Sequence, residues 1–132
     1  MFRTRHTNYE QTWKLNCMSY RELYVSQGPF FSGFQTSFEK ADYVILGVPF
    51  DVTSTYRTGA RFGPNAIRQA SLNIETYSFR TKIDVEDLKI HDLGDLHVTG
   101  DVSETLKRVE QVVKELLMIR KVPVLMGGEH TI

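Results

Sequence analysis

A chain of 132 residues is the length of one domain with a single core, on a prior of about 150 residues per domain. Hydrophobic residues at 41% and charged residues at 24% match an ordinary globular chain and exclude disordered or fibrous architectures. Sixteen Lys and Arg balance sixteen Asp and Glu, so a formal net charge of zero gives no bulk attraction to nucleic acid or an anionic membrane.

No apolar run approaches the roughly 20 residues needed to span a bilayer, so no membrane partner is expected. Residues 1–14 are polar and aromatic, with Glu10 among them, and do not read as a signal peptide. The single cysteine, Cys17, leaves no internal disulfide and points to a cytoplasmic setting. Met18 is an alternative start, because clear patterning begins only after it. Up to Lys40 the aromatics Trp13, Tyr20, Tyr24, Phe30, Phe31, Phe34 and Phe38 recur without a period. Residues 1–29 are therefore expected to form a loop-rich N-terminal arm or extension whose rings pack on a surface or a neighbouring subunit. An aromatic ligand cage is the other reading.

From Tyr43 to Val48 a short continuous apolar run predicts a strand buried on both faces, closed by Pro49. A long polar connection leads to Gly59-Ala60-Arg61-Phe62-Gly63-Pro64. Pro64 suits a helix's first turn, and Ile67, Ala70, Ile74 and Tyr77 predict an apolar stripe on a helix over residues 64–77. Residues 88–93 predict a second strand, ended by Gly94. Asp101 with Glu104 is an aspartate version of the capping box; it opens a helix with Val102, Leu106, Val109, Val113, Leu116 and Leu117 on one face as far as Arg120. Residues 123–126 predict a third strand, where a proline at the start is acceptable. This alternation is the α/β signature with a parallel sheet, and in such sheets ligands collect beyond the carboxyl ends of the strands. The informative positions are then Asp51, the loop 59–63, Asp92, Asp95 and residues 127–131.

Gly127-Gly128-Glu129-His130-Thr131 turns the chain off a buried strand and sets an imidazole at the rim. Neutral imidazole is a common ligand of divalent metals, and Glu129 could orient its ring. The competing reading of His130 is a helix cap or a plain hydrogen bond. The loop 59–64, with glycines, Arg61 and free N–H groups, could cradle an anion, or Arg61 could pair with a carboxylate on the loop. Asp92, Asp95 and His97 suggest a metal cluster, but Asp residues in turns usually bond nearby N–H groups, and His91 belongs within the sheet packing. His6 carries no argument.

Four motifs occur in order: Gly47-Val48-Pro49-Phe50-Asp51, the 59–64 loop with Ile67-Arg68, Asp92-Leu93-Gly94-Asp95, and Gly127-Gly128-Glu129-His130. Together they resemble the ureohydrolase (arginase/agmatinase) family from about residue 30 to residue 132. Residues 53–64 look most like agmatinases, which hydrolyse agmatine to putrescine and urea; Thr131 stands where a serine is also frequent. The resemblance implies an arginase-like α/β fold, a three-layer α/β/α domain on a parallel sheet of eight strands. Residues 30–132 would carry its N-terminal part, truncated to about the first three strands. It further implies a binuclear manganese centre with two Mn2+ at the strand ends, a bridging water activated by those ions, a small guanidino substrate such as agmatine, and a homo-oligomer in the complete enzyme. Arginase or another guanidino hydrolase is the nearest alternative.

By the same resemblance His130 inherits the role of ligand to one manganese. The other ligands belong to an Asp-Ala-His-x-Asp motif and an Asp-x-Asp motif, and neither occurs in these 132 residues. No catalytic residue comes across. The chain alone is therefore expected to be inactive, as a fragment of a longer enzyme, with its third strand left open at the sheet edge. A non-catalytic interaction module on the same scaffold is the reading from a different class. An anion-binding domain built on the 59–64 loop is the third.

Overall fold

The computed structural model describes residues 19–132; His6, Trp13, Cys17 and Met18 lie outside the described residues. Helix α1 (Tyr20–Tyr24) and strand β1 (Val25–Ser26) precede β2 (Tyr43–Val48). Helix α2 (Gly63–Ser71) is followed by a small hairpin, β3 (Tyr77–Ser78) and β4 (Ile83–Asp84). Then come β5 (Ile90–Leu96), α3 (Val102–Met118) and β6 (Val122–Gly127). The main sheet has the order β1-β5-β2-β6; β2 runs parallel to β5 and to β6, while β1 is antiparallel to β5. The expected parallel α/β sheet is thus present, with one short antiparallel strand at an edge.

Strand β2 lies between two neighbours and is buried from Val44 to Val48, as a continuous apolar run requires. Val44, Leu46 and Val48 share a core with Val112 and Leu116 of α3. On the other face, a Cβ on Gly47 would meet Asp95 Oδ1 and come within 3.1 Å of Pro64 of α2, so the glycine makes room for that helix. Helices therefore cover both faces, giving the three layers. In α3 Thr105, Val112 and Leu116 are buried and Val102 and Val109 pack against the core as expected, while Leu106 and Leu117, also expected inside, are exposed. The helix also ends at Met118 rather than Arg120. Its start is capped as expected, the Asp101 carboxylate accepting from Glu104 N at 3.1 Å.

Three further expectations differ from the structure. First, α2 stops at Ser71, and the predicted stripe of Ile67, Ala70, Ile74 and Tyr77 faces solvent. The helix ends because Asn73 bonds back to it, its N–H reaching the Ala70 carbonyl at 3.0 Å and its side-chain amide the Gln69 carbonyl at 3.3 Å. The buried positions are Pro64, Arg68 and Ser71, spaced four and three apart. A polar residue lies inward because it has partners there. Arg68, 1% exposed, grips Asp92 through Nε and Nη2, both at 2.8 Å, and donates to Asp95 at 2.6 Å and to the Gly94 carbonyl at 3.0 Å.

Second, Gly94 does not end the strand; β5 continues to Leu96. Gly94 adopts φ +97, and a Cβ there would lie 2.0 Å from the Ser26 carbonyl oxygen. The glycine thus lets β1 approach β5. Third, residues 19–26 are not loop. Tyr20–Tyr24 forms a capped helical turn and Val25–Ser26 pairs with Leu96 and Asp95, within the stretch expected as an arm.

At the opposite edge, β6 pairs with β2 alone among the described residues. Val122 N bonds Asp42 O at 2.8 Å and Gly128 N bonds Val48 O at 3.0 Å. By strand alternation, Pro123 turns outward, so its missing N–H falls on the open side. Val122, Val124 and Leu125 of this strand are exposed among the described residues.

Replacing Arg68 with Met leaves the Asp92 carboxylate buried and unpaired, at a cost of about 3–5 kcal/mol. Arg68→Lys is expected to rescue little, because one ammonium cannot match a fork of two parallel bonds. Denaturant unfolding midpoints check this; a wild-type midpoint for Arg68→Met would refute the role assigned to the cluster.

Candidate functional site

The carboxyl ends of β2 and β6 are joined by backbone bonds. Gly128 N donates to Val48 O at 3.0 Å and Glu129 N to Phe50 O at 2.9 Å. A Cβ on Gly128 would sit 2.0 Å from the Phe50 carbonyl oxygen, so this close approach requires glycine. The two segments that leave these strands, 51–61 and 128–132, consequently form one rim.

Each carboxylate on that rim is committed to holding a loop. Asp51, 2% exposed, accepts from Gly59 N at 2.8 Å and from Arg61 Nε at 2.9 Å, while Arg61 Nη2 lies 2.7 Å from its other oxygen. The Arg61 side-chain bond, then the Gly59 N–H, hold Asp51 below the usual carboxylate range against its burial. Glu129 accepts from Thr53 N at 2.8 Å, from the Thr53 hydroxyl, and from Ser54 Oγ at 3.0 Å. Burial and the nearby Asp51 charge push the Glu129 carboxyl up, but the Thr53 and Ser54 bonds outweigh them and its pKa is lowered. Thr53 Oγ1 also meets Thr131 Oγ1 at 2.7 Å, closing the loop over the turn.

His130 is exposed and lines an open cleft of about 430 Å³ with Thr53, Ser54, Thr55, Tyr56, Arg57, Glu129 and Thr131. Among the described residues no hydrogen bond joins Glu129 to His130, so the carboxylate does not orient the imidazole. Among those residues no group of three or more His, Cys, Asp or Glu side chains converges to hold a metal ion. His130 offers one nitrogen donor. A manganese pair, which takes several donors per ion and favours oxygen, does not fit this chain's residues alone.

The other candidates resolve on their partners. The N–H groups and guanidinium of the 59–61 loop, weighed as an anion cradle, are spent on Asp51, which is the pairing held open for Arg61. Asp92 and Asp95 serve Arg68, and Asp92 also takes the Gly94 N–H at 2.9 Å, as turn aspartates do. His91 lies within the sheet, its Nδ1 2.8 Å from the Thr36 carbonyl. His97 is exposed, and its carbonyl accepts from Arg108 at 2.8 Å. Thr53 and Ser54 were not anticipated as partners of Glu129; only the hydroxyl-rich composition after Asp51 hinted at them.

The profile of the Arginase family matches residues 41–132. The chain is 47% identical over 96 residues to the N(1)-aminopropylagmatine ureohydrolase of Thermococcus kodakarensis, covering 70% of this chain and 33% of that protein. It is 37% identical over 116 residues to the agmatinase of Bacillus subtilis, covering 87% and 39%. Among solved structures, the agmatine ureohydrolase of Thermoplasma volcanium superposes with a TM-score of 0.69 at 40% identity, over 72% of this chain and 32% of that one. The formiminoglutamase of Trypanosoma cruzi, solved with Mn2+, superposes with 0.56 at 26% identity, over 82% and 35%. The chain spans about a third of the length of the relatives it matches.

Because folding depresses the Asp51 and Glu129 pKa values, their stabilisation is complete above the ordinary carboxylate range of about pH 4 and is lost as pH falls through the depressed values. Asp51→Asn is therefore expected to flatten the fall of the thermal midpoint between about pH 5 and pH 2. An unchanged slope in that window would show that Asp51 is not the tether described.

Proposed function

The chain belongs to the arginase family, and from that premise we propose that at the full length of its relatives the protein is an agmatinase-like hydrolase. It would cleave the guanidino C–N bond of agmatine to give putrescine and urea at a binuclear manganese centre. Support comes chiefly from the identity of the matched stretch to a ureohydrolase and to agmatinases, at 47% and 46% in two archaeal relatives. Arginase activity is the nearest alternative within the family. A cytoplasmic setting and assembly into homo-oligomers belong to the same proposal.

In this reading His130 is one metal ligand, exposed on the rim with the Thr53–Glu129–Thr131 contacts holding the wall beside it. The bound ions would supply an activated water; this chain's own part is to present one imidazole and keep the 51–61 loop in register with it. Further donors would come from the two-thirds of the relatives that the chain does not span. The 132-residue chain by itself is accordingly inactive.

A second reading rests on a different observation. The open β6 edge, with Val122, Val124 and Leu125 exposed, suits a non-catalytic module that pairs with other subunits, since unpaired strand edges recruit partners. Light scattering separates the two ideas: a concentration-independent monomer argues against the module.

The purified chain, given Mn2+ and agmatine, is expected to release no urea above background and to retain less than one manganese per chain after dialysis. Tight stoichiometric manganese or measurable urea from this chain alone would overturn the reading. Turnover of agmatine against arginine by the full-length protein decides the substrate.

A further inference from the structure

We propose that a second cleft, between α1, β1, the turn Phe38–Lys40 and β5, binds a small organic cation carrying N–H donors, an alkylammonium or alkylguanidinium. The cleft measures about 310 Å³ and is lined by Arg21, Glu22, Val25, Gln27, Phe38, Glu39, His91 and Leu93. That volume is at the lower end of the range for small-molecule sites. It shares no residue with the cleft beside His130, so the inference stands apart from the ureohydrolase reading.

The deciding group is His91, 9% exposed on β5. Its Nδ1 lies 2.8 Å from the Thr36 carbonyl oxygen, which can only accept. Nδ1 therefore carries the proton, and in the neutral ring Nε2 presents a lone pair. Among the described residues Nε2 has no hydrogen-bond partner, and the single buried side-chain polar atom left without one is Gln111 Oε1. Nε2 thus reaches solvent, and the cleft is where His91 comes to the surface. A ligand that bonds the neutral ring at this spot has to donate the hydrogen bond.

The surrounding charges select a cation. The Arg21 guanidinium is matched by Glu115, 2.9 Å from its Nε. Glu22, which takes the Ser19 N–H at 3.4 Å with one oxygen, and Glu39 are exposed on the rim, and neither carboxylate makes an ion pair among the described residues. The Phe38 ring does not supply the attraction, because Arg21 lies 4.0 Å and the Lys121 ammonium 4.8 Å from its centroid. Lys121 is buried and spent on the Ala41 and Glu39 carbonyls, at 2.7 and 3.4 Å. Val25 and Leu93 give apolar wall for a short alkyl chain. The ligand class is then a nitrogen cation on a few methylenes, its head between the carboxylates and one N–H on His91 Nε2.

The test is an NMR titration of the isotopically labelled full chain with n-butylammonium, tetramethylammonium and butyrate. Butylammonium is expected to give saturable shifts of the His91 ring signals and of the Val25 and Leu93 amides. Tetramethylammonium, of equal charge but without an N–H, is expected to bind about tenfold more weakly, and butyrate not at all. His91→Phe removes the acceptor and should weaken butylammonium by about tenfold or more. The pair Glu22→Gln and Glu39→Gln, at exposed positions, tests the charge even if the His91 variant does not fold. Absence of saturable shifts at His91, equal binding of tetramethylammonium, or unchanged affinity in either variant would overturn the proposal.

Discussion

Arg68 meets both oxygens of Asp92 at 2.8 Å, reaches Asp95 at 2.6 Å and caps the Gly94 carbonyl at 3.0 Å, all from the inward face of α2. Burial works against its charge, but the bonds to Asp92 and then Asp95 outweigh that and raise its pKa. The same cluster extends to the chain before β2, because Asp92 also accepts from Phe31 N at 3.0 Å and donates its own N–H to Gln35. Ser71, on the same helix face, accepts from Ser32 N at 2.8 Å. One ionic knot therefore docks α2, β5 and the 31–35 segment together, where an apolar stripe was the expected adhesive. A buried ion cluster of this kind adds little net stability over a well-packed apolar contact, but it permits only one geometry.

That docking positions the rim. With α2 pinned against β5, the 59–63 loop that opens α2 lies over the end of β2, where Asp51 collects its N–H groups. Glu129, on the neighbouring strand's turn, does the same for Thr53 and Ser54. Both carboxylates are structural tethers, and their lowered pKa values follow from the hydrogen bonds that hold the loops. His130 is left open beside them. On this rim the acids hold loops and the imidazole lines a cleft, in a chain that spans about a third of its relatives' length.

The two edges of the sheet contrast. At one, β1 closes against β5 through the glycine gap at Gly94. At the other, β6 offers its backbone and three exposed apolar side chains, with Pro123 removing one donor from the open side. The clefts described above lie apart on this framework, one hydroxyl-rich at the strand ends, the other walled by α1 and β1 with a buried histidine behind it.

Local signals sufficed for the elements that solvent exclusion dictates. The apolar run of β2, the capped start of α3 and the proline opening of α2 were legible because they depend on hydrophobicity, backbone donors and a fixed φ within a few residues. The order of motifs also carried the family. What the sequence could not display were contacts between distant segments. Ile67 and Ile74 looked inward by period, yet Arg68 is buried, because its partners lie 24 and 27 residues away. Gly94 read as a strand terminus, yet Ser26 lies against it, and the partner of Glu129, left open beside His130, is the pair Thr53 and Ser54. In each case burial of a charge or a backbone group is worthwhile only when a partner arrives from elsewhere in the chain, and that arrival is a property of the tertiary structure.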